Sequence, residues 1–104
     1  MGLKHDEMEA ATTLAAIKLL RAHDFSERQT VALYKPGKAS PWAVLDVTPQ
    51  GGGRFAVFPL DVHGHRGDTH KTGQAGVRVS PVGMHTPEHT WQTVLNRSKR
   101  MVAA

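Results

Sequence analysis

Residues 42–60 read WAVLDVTPQGGGRFAVFPL, and this stretch decides the fold class. Valine, leucine and aromatic residues fill both of its ends, which is typical of β-strands. Proline and a run of glycines separate the two ends and predict a turn. Strand-like runs joined in this way predict a β-hairpin with strands at 42–48 and 54–60. We expect Asp46 to point outward from the first strand, and Pro59 to mark an edge or an end of the second.

The segment before the hairpin, residues 29–35, allows two interpretations. Ser26 and Gln29 have the spacing of a capping box, which would begin a helix. The threonine, valine, leucine and tyrosine that follow instead have side chains that strands favour. We favour a strand at 29–35, followed by a turn at Pro36-Gly37.

Beyond the hairpin, residues 61–75 are polar and rich in glycine, which predicts a long loop. Alternating valines then predict a short edge strand at 76–82. The sequence Thr86-Pro87-Glu88 combines a capping residue, a proline suited to the first helical position and an acid suited to the positive end of the helix dipole. It predicts a helix at 86–101.

Residues 5–23 are predicted to form an N-terminal helix. Asp6 can cap it, and good helix formers follow without glycine or proline. Its apolar positions cover more than one face, so we expect a second surface to pack on it besides the sheet. Leu14 and Ile17 are the candidate contacts with another copy of the protein or with a different partner.

Together these elements predict one α+β domain over residues 1–104. Short turns between strands favour antiparallel pairing. The expected architecture is a small curled antiparallel sheet of three to four strands, with an N-terminal and a C-terminal helix packed on it. A chain of 104 residues is the usual size of a single domain.

The composition indicates a cytoplasmic protein. The chain contains no cysteine, which excludes disulfides and thiolate metal ligands and favours a reducing compartment. Its first residues are acidic and do not resemble a signal peptide. The longest apolar stretch is too short and too polar to cross a bilayer, so no membrane association is expected.

The net excess of positive charge lies wholly in the second half of the chain. The formal net charge is +4, and residues 1–48 carry equal numbers of basic and acidic side chains. An excess of this kind favours an anionic partner such as nucleic acid. Within residues 49–104, the candidates for binding phosphate are Arg54, Arg66, Lys71, Arg78, Arg97, Lys99 and Arg100.

Histidines are concentrated between residues 63 and 89. If residues 62–65 are extended, His63 and His65 point to the same side, because side chains alternate along a strand. Such a pair is half of a zinc or nickel site, and His70 is the candidate third ligand, with His85 or His89 as alternatives. The competing interpretation is a solvated histidine-rich loop without a metal or any other cofactor.

No motif indicates an enzyme. None of the few serines lies in a nucleophile elbow, and no spacing links two carboxylates. We therefore expect a non-enzymatic small binding module that engages nucleic acid or a nucleoprotein complex through the basic half. The first alternative is a protein–protein regulator or inhibitor of the phage or plasmid accessory type, acting as a small homodimer. The second is a histidine-based binder of divalent metal.

Overall fold

The computed structural model describes residues 4–23, 25–65, 82–83 and 86–103. The chain forms five strands and two helices within these ranges. In chain order they are β1 (Lys4–Glu9), α1 (Thr13–Ala22), β2 (Gln29–Tyr34), β3 (Ala43–Gly51), β4 (Arg54–Leu60), β5 (Val82–Gly83) and α2 (Glu88–Ala103).

The strands form one mixed sheet in the order β1-β2-β3-β4-β5, in which β5 is only two residues long. β1 runs parallel to β2, and every later pair is antiparallel. The predicted hairpin is present as β3 and β4, with Val47 opposite Val57. Gly51, Gly52 and Gly53 in its turn all have positive φ, between 64° and 85°, where side chains other than glycine are strained. The predicted α+β class with two helices packed on a small sheet is confirmed, and the sheet is only slightly curled.

The prediction of a helix over 5–23 is wrong in its first part, because Lys4–Glu9 is a strand. The acidic residues there resemble the first turn of a helix, but their side chains alternate: Met8 packs against the core, whereas Glu7 and Glu9 are exposed. Helix α1 begins only after Thr12, whose hydroxyl caps it by accepting a hydrogen bond from the N–H of Ala15 at 3.1 Å.

The remaining predicted boundaries differ less. The ambiguous segment 29–35 is the strand β2, as favoured. The expected strand at 76–82 lies mostly outside the described residues, although Val82 belongs to β5 and lies opposite Phe55. Of the expected loop at 61–75, the structure describes residues 61–65.

Helix α1 and the first half of α2 pack on one face of the sheet and enclose the main core. Alternate residues of β2, β3 and β4 point toward this face, as the period of two in a strand requires. Trp91 is the largest side chain that is fully buried there. The core comprises Ala10, Ala16, Ile17, Leu20, Phe25, Val31, Leu33, Ala43, Leu45, Val47, Phe55, Val57, Val82, Trp91, Val94 and Leu95. The carboxyl end of α2 packs instead against a second cluster, where Val102 lies against Ala32, Val44 and Leu60.

Asp46 lies on the face of the sheet opposite the main core, since it points outward as the sequence predicts, but it is buried. It is only 3% exposed. Arg28 forms a two-point ion pair with it, with Nε–Oδ1 and Nη2–Oδ2 distances of 3.2 and 2.8 Å. The hydrogen bond to Asp46 and its negative charge raise the pKa of Arg28. A paired guanidinium explains how β3 tolerates a buried carboxylate.

Ser98 of α2 is fully buried and joins the helix to the sheet. Its hydroxyl oxygen accepts a hydrogen bond from the N–H of Val44 at 2.7 Å. Its proton lies within bonding distance of two carbonyl oxygens, that of Val44 at 2.7 Å and that of Leu60 at 2.8 Å. Val44 and Leu60 are opposite each other in the β3–β4 pair. One side chain therefore satisfies backbone groups of two strands and sets the position of α2.

We expect Ser98→Ala to lower the free energy of unfolding by about 1–3 kcal/mol, because alanine leaves the buried N–H of Val44 without an acceptor. Urea denaturation measures the change. The matched control is Ser40→Ala at an exposed position, which we expect to change stability by no more than about 0.5 kcal/mol. Equal effects of the two substitutions would contradict the structural role given to Ser98.

Candidate functional site

A cavity of about 280 Å³ lies at the amino end of α1, and lysine side chains from distant parts of the chain line it. Lys35 comes from the turn after β2, and Lys99 comes from the last turns of α2. Its lining residues are Ala11, Thr12, Thr13, Lys35, Trp42 and Lys99. We refer to this site as the lysine cavity.

Local structure places both lysines at this end of the sheet. The turn after β2 is closed by a hydrogen bond from the N–H of Lys38 to the carbonyl of Lys35 at 3.1 Å, with Gly37 at φ 77°. This short turn holds Lys35 beside the end of β2. Lys99 directly follows Ser98, whose hydrogen bonds to β3 and β4 determine where this part of α2 lies.

Trp42 contributes a fixed aromatic ring to the lysine cavity. Its indole N–H donates to the carbonyl of Ala10 at 3.0 Å, and the half-buried ring packs against the main core. The two phenylalanines of β4, which could also be imagined to stack with bases, lie elsewhere. Phe55 is buried in the core, and Phe58 is half-buried on the sheet face opposite the main core.

The lysine cavity is electropositive. The amino end of α1 carries the positive end of the helix dipole, and the first turn of this helix contains no acidic residue. Among the residues that the structure describes, no carboxylate lines the cavity. Two ammonium groups and a helix terminus thus act on the same space, which favours an anionic ligand there.

The other arginines and lysines that were predicted to bind phosphate lie in several different parts of the structure. Arg97 and Arg100 are one turn apart on α2 and project from neighbouring positions, about 60° apart around the helix. Lys99 lies about 100° farther round from Arg100. Arg54 is exposed at the first position of β4, next to the β3–β4 turn and at the end of the sheet opposite the lysine cavity. Arg66, Lys71 and Arg78 lie outside the described residues.

The histidine pair occupies a turn and not the extended segment on which the metal prediction depends. Asp61 accepts hydrogen bonds through Oδ1 from the N–H groups of His63 and His65, both at 2.9 Å. Gly64 between them has φ 81°. The two rings are 6.3 Å apart, and His70 lies outside the described residues. Within the described ranges no three metal-binding side chains come together, so the metal site stays a prediction.

The two predicted partner-contact residues of α1 have different environments. Ile17 is 1% exposed and belongs to the main core, so its expected role at an intermolecular surface is wrong. Leu14 is 50% exposed and is accessible to a partner. The helix therefore uses most of its apolar positions to hold this protein together.

Sequence reasoning missed the meeting of Lys35, Trp42 and Lys99. Lys99 is among the predicted phosphate-binding residues, but residues so far apart in the chain show their proximity only after the fold is known. Neither described helix is long and apolar enough to cross a membrane. No protein-family model matches this chain, and no curated protein or solved structure matches it significantly.

The backbone bonds of Asp61 predict a pH-dependent turn. Burial alone would raise the pKa of this carboxyl, but the N–H groups of His65 and His63 outweigh burial and lower it below the usual 3.8. Because the pKa is lower in the folded state, the ionised carboxylate of Asp61 stabilises the turn above pH 3.8. This stabilisation is lost as the pH falls through the folded-state pKa. We expect the amide ¹H shifts of His63 and His65 to titrate together with a midpoint below 3.8, as followed by NMR. Asp61→Asn should abolish this transition, and a midpoint above 3.8 would contradict the assignment.

Proposed function

We propose that this protein is a non-enzymatic binding module that engages nucleic acid and holds its phosphate groups at the lysine cavity. The observation that carries the proposal is the convergence of Lys35, Lys99 and the indole of Trp42 on one electropositive space. Arg97 and Arg100 add positive charge along the adjoining helix.

The chemistry of the cavity suits a nucleotide chain better than a free phosphate ion. Lysines and helix termini contact phosphate oxygens without reading sequence. A fixed aromatic ring beside them offers a stacking surface to a base, and single-stranded nucleic acids combine both features at each nucleotide. The proposal therefore favours single strands and predicts little dependence on base sequence.

The first test measures fluorescence anisotropy of labelled single-stranded DNA and RNA oligonucleotides at low salt. We expect dissociation constants below about 100 µM, the weak limit of ordinary non-specific binding. Lys99→Gln should weaken binding roughly tenfold, which is the cost of losing one charge-assisted hydrogen bond. It should also reduce the slope of log K against log salt by about 0.7.

Lys18→Gln is the control for this test. Lys18 is an exposed lysine of α1 outside the cavity, so its substitution changes the net charge by the same amount. We expect no more than about a twofold effect from Lys18, because it does not line the cavity and acts on a bound phosphate only across solvent. Equal losses from the two substitutions would show that binding follows net charge alone and would contradict a site at the lysine cavity.

A second test separates stacking from phosphate binding. Trp42→Leu should weaken binding of the oligonucleotides by about tenfold, because stacking on an aromatic ring contributes about 1–3 kcal/mol per base. It should leave binding of inorganic tripolyphosphate unchanged, as measured by calorimetry. Trp42→Phe keeps an aromatic face and should retain most of the affinity. If the leucine variant binds oligonucleotides as tightly as the phenylalanine variant, Trp42 does not stack with bases.

A further inference from the structure

The positive charge of the lysine cavity is gathered in one small space. Its volume of about 280 Å³ is at the lower end of the range for small-molecule pockets and fits about one nucleotide. A sphere of that volume is only about 8 Å across, so an anion inside it lies within a Debye length of both lysines. The ammonium groups of Lys35 and Lys99 therefore act together on the phosphate that occupies the cavity.

The connection between β2 and β3 fixes one wall of the lysine cavity. Lys35 and Trp42 lie at its two ends, and the N–H of Trp42 donates to the carbonyl of Leu33 at 2.8 Å. The indole N–H of Trp42 donates to the carbonyl of Ala10 at 3.0 Å. Because both its backbone and its side chain are bonded, Trp42 holds one aromatic ring at a fixed position beside the phosphate site.

Among the described residues, the positive charge outside the lysine cavity forms no continuous track. Successive residues of an α-helix are about 100° apart, so Arg100 points about 100° away from Lys99, and Arg97 about 160° away. Arg54 is at the other end of the sheet. A protein that holds the interior of a strand uses a positively charged groove along successive phosphates. The two lysines instead converge on one phosphate position.

Negative charge limits the path of a strand on the side of β1. A groove of about 530 Å³ between β1 and the carboxyl half of α1 includes Asp6, Glu7 and Glu9 in its lining. Glu9 lies nearest the lysine cavity, because it is opposite Tyr34, the residue before Lys35. A strand leaving the cavity in this direction would bring phosphate toward carboxylate, which is unfavourable. A strand that ends in the cavity needs only one exit and avoids this repulsion.

The charge of the phosphate distinguishes the end of a strand from its interior. A phosphate within the strand is a diester with one negative charge. A terminal phosphate is a monoester with a charge of about −1.5 to −2 at pH 7 and three acceptor oxygens. Two ammonium groups can therefore donate to different oxygens of a monoester and balance its charge, whereas they exceed the charge of a diester.

We propose that the lysine cavity binds the phosphorylated end of a single strand, with the terminal phosphate between Lys35 and Lys99 and the terminal base on Trp42. This inference rests on the proposed function and specifies its ligand as a phosphomonoester at the 5′ or the 3′ end. The rest of the strand leaves the cavity away from β1. Affinity is therefore set by the end of the strand, and further nucleotides add little.

The test compares three internally labelled oligonucleotides of one sequence by fluorescence anisotropy: one with a 5′-phosphate, one with a 3′-phosphate and one with hydroxyl groups at both ends. We expect one phosphorylated form to bind at least about tenfold more tightly than the hydroxyl form, the effect of one additional charge-assisted hydrogen bond. The methyl ester of that phosphate, which carries one negative charge, should lose most of this advantage.

The outcomes separate the two proposals. Equal binding of all three oligonucleotides, or a methyl ester that binds as tightly as the monoester, overturns the preference for a strand end but leaves the proposed function standing. No binding of any oligonucleotide overturns both proposals.

Length dependence provides an independent measurement. Phosphorylated oligonucleotides of three and twenty-four nucleotides should bind within about twofold of each other, because the contacts end at the cavity. Binding to the interior of the strand would instead favour the longer oligonucleotide about eightfold, in proportion to the number of nucleotides that it offers. A difference of that size would contradict the inference.

Substitutions on the protein form the last arm. Lys99→Gln should reduce the preference for the phosphorylated end to about twofold or less, because a single ammonium group then faces the monoester and the diester alike. Lys18→Gln makes the same change in net charge outside the cavity and should keep the full preference. A preference that survives Lys99→Gln undiminished, or that Lys18→Gln reduces equally, overturns the inference.

Discussion

The hydroxyl of Ser98 lies where β3, β4 and α2 meet, and much of the remaining structure depends on that junction. A buried helix could slide along a flat apolar sheet at little cost, but a hydroxyl bonded to Val44 and facing the carbonyl of Leu60 fixes it in one place. The next residue, Lys99, is thereby held beside the end of the sheet, where the turn after β2 brings Lys35. The position of the proposed phosphate site thus follows from an interaction made inside the core.

Helix α1 separates two surfaces of opposite charge. Its amino end adjoins the lysines, and the groove along its carboxyl half is lined by the carboxylates of β1. The positive end of the helix dipole therefore reinforces the cationic surface. The short connections around α1 keep these surfaces distinct, so a protein of modest net charge presents a basic and an acidic surface at the same time.

Local sequence patterns predicted the elements that depend on local chemistry. The glycine run between two β-rich segments predicted the β3–β4 hairpin, and Thr86-Pro87-Glu88 predicted the start of α2 within two residues. β1 was missed because its acidic residues also suit a helix, and only pairing with β2 stabilises it as a strand. The buried environment of Asp46 depends on Arg28, and the lysine cavity joins three separate segments. Neither follows from spacing along the chain.

The parallel attachment of β1 divides the sheet into two units of different connectivity. β2, β3 and β4 are joined by short turns and form a continuous antiparallel meander, whereas β1 reaches β2 only across α1. Pairing β1 with β2 must close a longer segment of chain, which costs more entropy than closing a hairpin. β1 can consequently open without breaking any pair of the meander. The amino-terminal strand is therefore the part of the sheet that can unfold locally while the antiparallel strands stay paired.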